Sequence, residues 1–201
     1  MDEAARLRLD AQITFLNEAD KLKNTVRATR LCDGSRLENS AEHSWHLTLY
    51  ALVLADQAGP GVDIDRVIKM LILHDLVEID AGDNPIFGDF DAAEVEAQEQ
   101  AAADRIFGLL PPDMRDGLRA IWEEFEAAET PTAQFAKSLD RFQPPMQNLQ
   151  SGGGSWTTFD VTPADIERRV GSKIAIGAPT LWAYAKSRIA DFFAARKGTA
   201  E

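Results

Sequence analysis

The sequence predicts an all-α fold in a single domain, and three observations carry that prediction. Apolar residues recur at helical spacing along almost the whole chain. No stretch alternates like a half-buried strand, and helix-start signals recur ahead of the apolar runs. With 201 residues, 45% of them hydrophobic, the chain can bury a sizeable core. No internal repeat and no domain boundary interrupts it.

Leu7, Leu9, Ile13, Leu16 and Leu22 predict a first helix of about twenty residues, with those side chains as its buried stripe. Lys21 to Arg36 is poorly periodic and contains Asp33-Gly34-Ser35, a turn signal. A second helix is expected from Asn39, where Asn39-x-x-Glu42 has the form of a capping box, to Gly59-Pro60-Gly61. It is apolar on nearly every side, so a central place in the fold is expected. A third helix runs from Asp63 through VIKMLILHDLVEI to Gly82. Six acids and no base lie between Asp89 and Asp104, which reads as a solvated helix face. Pro111-Pro112 opens the next helix, and Thr130-Pro131 caps another that Pro144-Pro145 should end or kink. Ser151 to Ser155, with three glycines, lacks the Lys-Ser or Lys-Thr of a P-loop and reads as part of a flexible loop over 151–161. Thr162-Pro163 starts a short helix, and the last covers roughly Pro179 to Ala195.

Thirty-three acids against 21 bases give a net charge of −12. That excludes a non-specific binder of nucleic acid or of an anionic membrane, because both rely on a basic surface. The longest apolar stretch, Leu47 to Ala55, is too short to span a bilayer. The single cysteine, Cys32, has no intramolecular partner and is read as structural. The opening residues lack the apolar core of a signal peptide, so a cytoplasmic location is expected.

Histidine occurs only at 43, 46 and 74. His74 and Asp75 lie together within ILHDLVEI, among residues that otherwise want burial, and a buried charge must be paired or bind a metal. Glu78, four residues after His74, falls on the same helical face. His43 lies in the other strongly apolar helix and Asp140 in the apolar pattern AKSLDRF, so both could face the same cavity. Imidazole nitrogens with carboxylate oxygens suit one divalent ion of the borderline class: manganese, cobalt, iron, nickel or zinc. His46, one turn after His43, is read as a core or supporting residue. Lys21 to Arg36 holds five bases and one acid, a local charge of +4 that would suit a phosphate.

Glu-His-Ser-Trp at 42–45, Leu-His-Asp-Leu-Val-Glu at 73–78, Gly-Asp at 82–83 and the late Asp140 resemble the HD-domain phosphohydrolases. The resemblance is to the small 5′-deoxynucleotidase-type branch, over roughly residues 20 to 145. It implies a helical bundle, one divalent metal held by His43, His74, Asp75 and Asp140, and a catalytic acid at Glu78. It further implies Asp83 as a second catalytic residue, a substrate loop over Asp83, Asn84, Pro85 and Ile86, and a homodimer. The family arginine that contacts phosphate falls best on Arg27, with Arg30 as a rival. The tryptophan that accompanies it in the family is missing from Val26 to Leu31. The implied function is hydrolysis of a phosphomonoester, with (deoxy)nucleoside 5′-monophosphates as substrates. Two alternatives share the scaffold: a non-catalytic nucleotide-binding module, and a binuclear phosphodiesterase or oxygenase. The second usually adds histidines before the last aspartate, and none occurs from Leu76 to Leu139.

Overall fold

The computed structural model describes residues 1–197. It is a helical bundle with one small hairpin: α1 Glu3–Ala19, β1 Val26–Arg30, β2 Leu37–Asn39, α2 Ser40–Val53 and α3 Ile64–Leu73. These are followed by α4 Glu78–Ala81, α5 Ala92–Phe107, α6 Pro112–Ala127 and α7 Pro131–Gln150. The last four are α8 Gly154–Thr158, α9 Pro163–Ile166, α10 Ser172–Gly177 and α11 Pro179–Lys197. No described helix is long and apolar enough to cross a membrane.

The centre is α7, not α2. Twelve of its 20 residues are buried, and α2, α3, α6, α10 and α11 pack around it. Its helix passes through Pro144 and Pro145 instead of ending there. Each proline lacks the N–H that would bond four residues back, so the carbonyls of Asp140 and Arg141 lose their helical donors. Burial of Phe142, Pro145, Gln147 and Asn148 holds the helix together across this gap. Helix α2 is two-faced. His43, Ser44, Leu47 and Ala51 face inward, whereas Trp45, Leu49, Leu52 and Val53 face out. Its capping box forms as expected, with Asn39 and Glu42 bonded reciprocally.

Four further expectations are corrected. The stripe of α1 is on its free side: Leu7, Leu9, Ile13 and Leu16 are exposed, and the buried line runs through Phe15 and on to Leu22. The chain from 26 to 39 is an antiparallel hairpin, pairing Val26 with Asn39 and Arg30 with Leu37 around the Asp33-Gly34-Ser35 turn. Strands of five and three residues are too short for alternation to stand out in sequence. The third helix stops at Leu73; His74–Val77 form a tighter 3₁₀ turn before α4. Finally, the loop expected over 151–161 contains a short helix. Gly152, Gly153 and Gly154 have φ of 72°, 110° and 43°, and this left-handed turn feeds α8, where Ser155 and Trp156 are buried.

Candidate active site

Strand parity places the arginines. In β1, Arg27 and Thr29 share the inward side, whereas Arg30 projects from the opposite face and donates to the Gly34 carbonyl at 3.2 Å. Arg27 Nη1 lies 3.0 Å from Asp75 Oδ2, 3.4 Å from Asp83 and 3.6 Å from Glu78. Burial opposes its charge, but Asp75, Glu78 and Asp83 outweigh that and raise its pKa. Its buried Nε has no acceptor.

On β2, Glu38 is buried and accepts hydrogen bonds from the Gln143 and Gln147 side-chain amides at 3.1 and 2.8 Å. Because the Gln143 amide nitrogen faces Glu38, its oxygen faces His43 Nδ1 at 3.1 Å and accepts from it. That fixes Nδ1 of His43 as a proton carrier, and Nε2 looks at Asp140 Oδ1, 3.0 Å away. His74 is built the same way. Its Nδ1 donates to the Leu71 carbonyl at 2.9 Å, leaving Nε2 without a hydrogen bond, 2.9 Å from Asp75 Oδ1 and 3.7 Å from Asp140 Oδ1. Nitrogen lone pairs and carboxylate oxygens this close repel unless a proton or a metal cation lies between them, and a proton takes that place whenever no metal is bound. Burial works against a charged His74, yet Asp75 and Asp140 overcome it and push the imidazole up to about 10. Burial also opposes charge on Asp75 and Asp140, but His74 and Arg27 lower the first, and Arg141 and the histidines lower the second. The donor set therefore fits a metal: ligand atoms of His43, His74 and Asp75 lie within 4.8 Å of one another, with Asp140 against both rings.

The 3₁₀ turn after His74 matters here, because side chains three apart eclipse in that geometry. Asp75 and Glu78 thus stack on one face. Burial, then the Asp75 charge, raise the Glu78 pKa well above the usual carboxylate value. Ser40 donates to Glu78 Oε2 at 2.5 Å, and Gly82, at φ 75°, turns the chain so that Asp83 re-enters the site. Burial raises Asp83 as well. A cavity of about 270 Å³ collects Arg27, His74, Asp75, Glu78, Asp83, Asn84, Pro85, Ile86 and Asp140. His43 lies behind them, fully buried. His46 is half-buried, one step further back, accepting from Gln143 at 3.2 Å. Cys32 is exposed near the hairpin turn, so the structural role expected of it does not hold.

Sequence reasoning missed Glu38, Ser40 and Gln143, which act through the histidines and Glu78. It also missed Lys137, Arg141 and Trp156 on the cavity wall. Of the five bases in Lys21–Arg36, only Arg27 enters the site. Lys21 pairs with Glu18, Lys23 with Asp20 and Arg36 with Glu42. Parity in a short strand and hydrogen bonds across 100 residues leave no periodic signal.

A family model described as HD domain matches residues 19–182. A human protein named 5′-deoxynucleotidase HDDC2 is 30% identical over 130 residues, spanning 64% of this chain and 62% of that protein. The fission yeast protein named 5′-deoxynucleotidase hdd1 is 26% identical over 136 residues, 65% of this chain and 67% of that one. The chain thus matches less than two thirds of the length of the human relative. In the crystal structure of a predicted metal-dependent phosphohydrolase from Magnetospirillum magnetotacticum MS-1, the matching chain is 45% identical with a TM-score of 0.86. That match covers 96% of this chain and 97% of that one.

Proposed function

The chain belongs to the HD-domain family, and from that premise we propose that it is a metal-dependent phosphohydrolase releasing phosphate from (deoxy)nucleoside 5′-monophosphates. The observation that carries the reading is the pair of histidines whose Nδ1 atoms are held by protein acceptors while each Nε2 faces buried carboxylate oxygens, beside Arg27 and Glu78. Similarity to proteins named 5′-deoxynucleotidase supports the substrate.

His43, His74, Asp75 and Asp140 would hold the ion. When bound, a divalent metal of the manganese-to-zinc class supplies Lewis acidity, polarising a phosphoryl oxygen and acidifying water. Arg27, with its free Nε, pairs with the phosphate in place of the carboxylates it now contacts. Glu78 takes a proton from the attacking water as the oxygen bonds to phosphorus and the phosphorus–O5′ bond breaks. Asp83, raised by burial, holds the sugar or returns a proton to the leaving alkoxide. Asn84, Pro85 and Ile86 border the nucleoside. The same reading makes the enzyme a cytoplasmic homodimer acting on a small substrate, with the outward apolar row of α2 supporting the dimer.

The test is a phosphate-release screen of nucleotides and sugar phosphates after chelation and re-addition of manganese, cobalt, nickel or magnesium. Activity is expected to vanish on chelation and return with a borderline ion. Undiminished turnover in metal-free protein would remove the proposal.

A further inference from the structure

Beside the active-site cavity lies a groove of about 590 Å³, and the two share Ile86, Glu126, Lys137 and Arg141 on their walls. Its lining brings together five cations, Lys137, Arg141, Arg168, Arg169 and Lys173, against the one carboxylate of Glu126. That local excess of four positive charges sits in a chain of net charge −12. Two packed elements supply it. Lys137 and Arg141 are one turn apart on α7, and Arg168, Arg169 and Lys173 come from the π turn Glu167–Gly171 and the start of α10. Such π turns occur often at functional sites.

Internal partners take up part of this charge: Asp165 and Asp140, just outside the lining, pair with Arg168 and Arg141 and bring the excess of four down to two. Lys137 reaches Glu126 at 2.9 Å and lies over the Phe125 ring, and Arg168 pairs with Asp165 at 2.5 Å. Arg169 donates to the Ile86 carbonyl at 3.1 Å, which ties the groove to the loop at the active site. Lys173 has no acidic partner among the described residues. Arg141 links the two spaces, its Nε 3.6 Å from Asp140 Oδ2. A cleft lined by one sign of charge focuses field and draws an anion. Guanidinium groups match phosphate in particular.

We infer that this groove is a subsite for a second phosphoryl group carried by the same substrate, so that a nucleotide bearing two phosphates, and not the simple 5′-monophosphate of the reading above, is preferred, with the hydrolase chemistry unchanged. The inference rests on the phosphohydrolase reading for where the first phosphate binds. Two sources share the chemistry, a 5′-diphosphate tail and a separate phosphate on the sugar. A nucleic-acid polymer would also have to lie along the acidic remainder of the surface.

The experiment is calorimetric binding under chelation, where turnover is not expected. The probes are deoxyadenosine 5′-monophosphate, its 5′-diphosphate and its 3′,5′-bisphosphate, and the proteins are the parent, Lys173→Gln, and the double variant Arg168→Gln/Lys173→Gln. In the parent, one doubly phosphorylated probe is expected to bind about tenfold tighter than the monophosphate, the scale of two partly screened ion pairs. Which probe wins tells tail from sugar phosphate. Lys173→Gln should lower the ratio, and the double variant should bring it near one. Equal affinities in the parent, or a preference that survives both variants, overturns the subsite. A ratio that behaves as expected while no monoester is hydrolysed with any metal leaves the subsite standing and removes the hydrolase reading instead.

Discussion

A carboxylate on the same face as two metal-binding side chains can serve as a further ligand or as a base, and the contacts of Glu78 favour the base. One oxygen takes the Ser40 hydroxyl, and the other lies 3.6 Å from Arg27. The histidine lone pairs point instead at Asp75 and Asp140. Glu78→Gln keeps shape and removes basicity, so turnover should fall by about 10²–10⁴-fold while metal content, read by elemental analysis, stays near that of the parent. A variant that loses its metal would make Glu78 a ligand. Parity gives a second prediction. Arg27→Ala should raise the Michaelis constant for phosphate esters by roughly tenfold or more, the loss of a partly buried charged hydrogen bond, whereas Arg30→Ala should hardly change it. Equal effects would mean that β1 does not set the phosphate contact. At this scale the His-Asp pair, Glu78 and Asp140 were legible because ionisable groups inside apolar helical patterns are conspicuous, whereas Asp83, outside any helix, came only with the family resemblance. Glu38 and Gln143 were not, since their roles depend on which side of a three-residue strand faces α7.

Elements were legible wherever periodicity or a cap was strong, and misread where composition outweighed geometry. In α1 the leucines and isoleucine outnumber Phe15, yet the bundle buries the Phe15 side, and a bidentate Arg8–Asp113 pair at 2.7 and 2.8 Å ties the helix to α6. In α7 tertiary packing overrides two prolines. The glycine run is the clearest case, because composition alone suggested flexibility. At Gly153 φ is 110°, and an added Cβ would meet the Arg196 guanidinium and Thr157 hydroxyl at 2.8 Å. Gly153→Ala should therefore destabilise the fold by about 1–3 kcal/mol, the cost of a strained backbone position, as a lowered urea midpoint at constant slope. A flexible loop would tolerate the change, so an unaltered midpoint would restore the loop reading.

For the whole molecule, charge sets the terms of association. Two copies at −12 each repel, so a homodimer must be held by apolar contact. The α2 row offers it: Trp45, Leu49, Leu52 and Val53 are 62%, 39%, 57% and 75% exposed. On α3, which packs against α2, Ile72 is exposed as well. Sequence periodicity saw the apolar character of α2 and assigned it to the core, because a buried apolar face and an exposed one look alike in one chain. Sedimentation should therefore find a dimer whose affinity increases between low and moderate salt, as screening removes the mutual repulsion over a Debye length of about 10 Å. Leu49→Glu with Leu52→Glu should yield a folded monomer, since two carboxylates would have to be desolvated at the contact. A parent protein monomeric at micromolar concentration would end the dimer proposal. A dimer that weakens with salt would move the interface away from α2, toward a surface held by ion pairs.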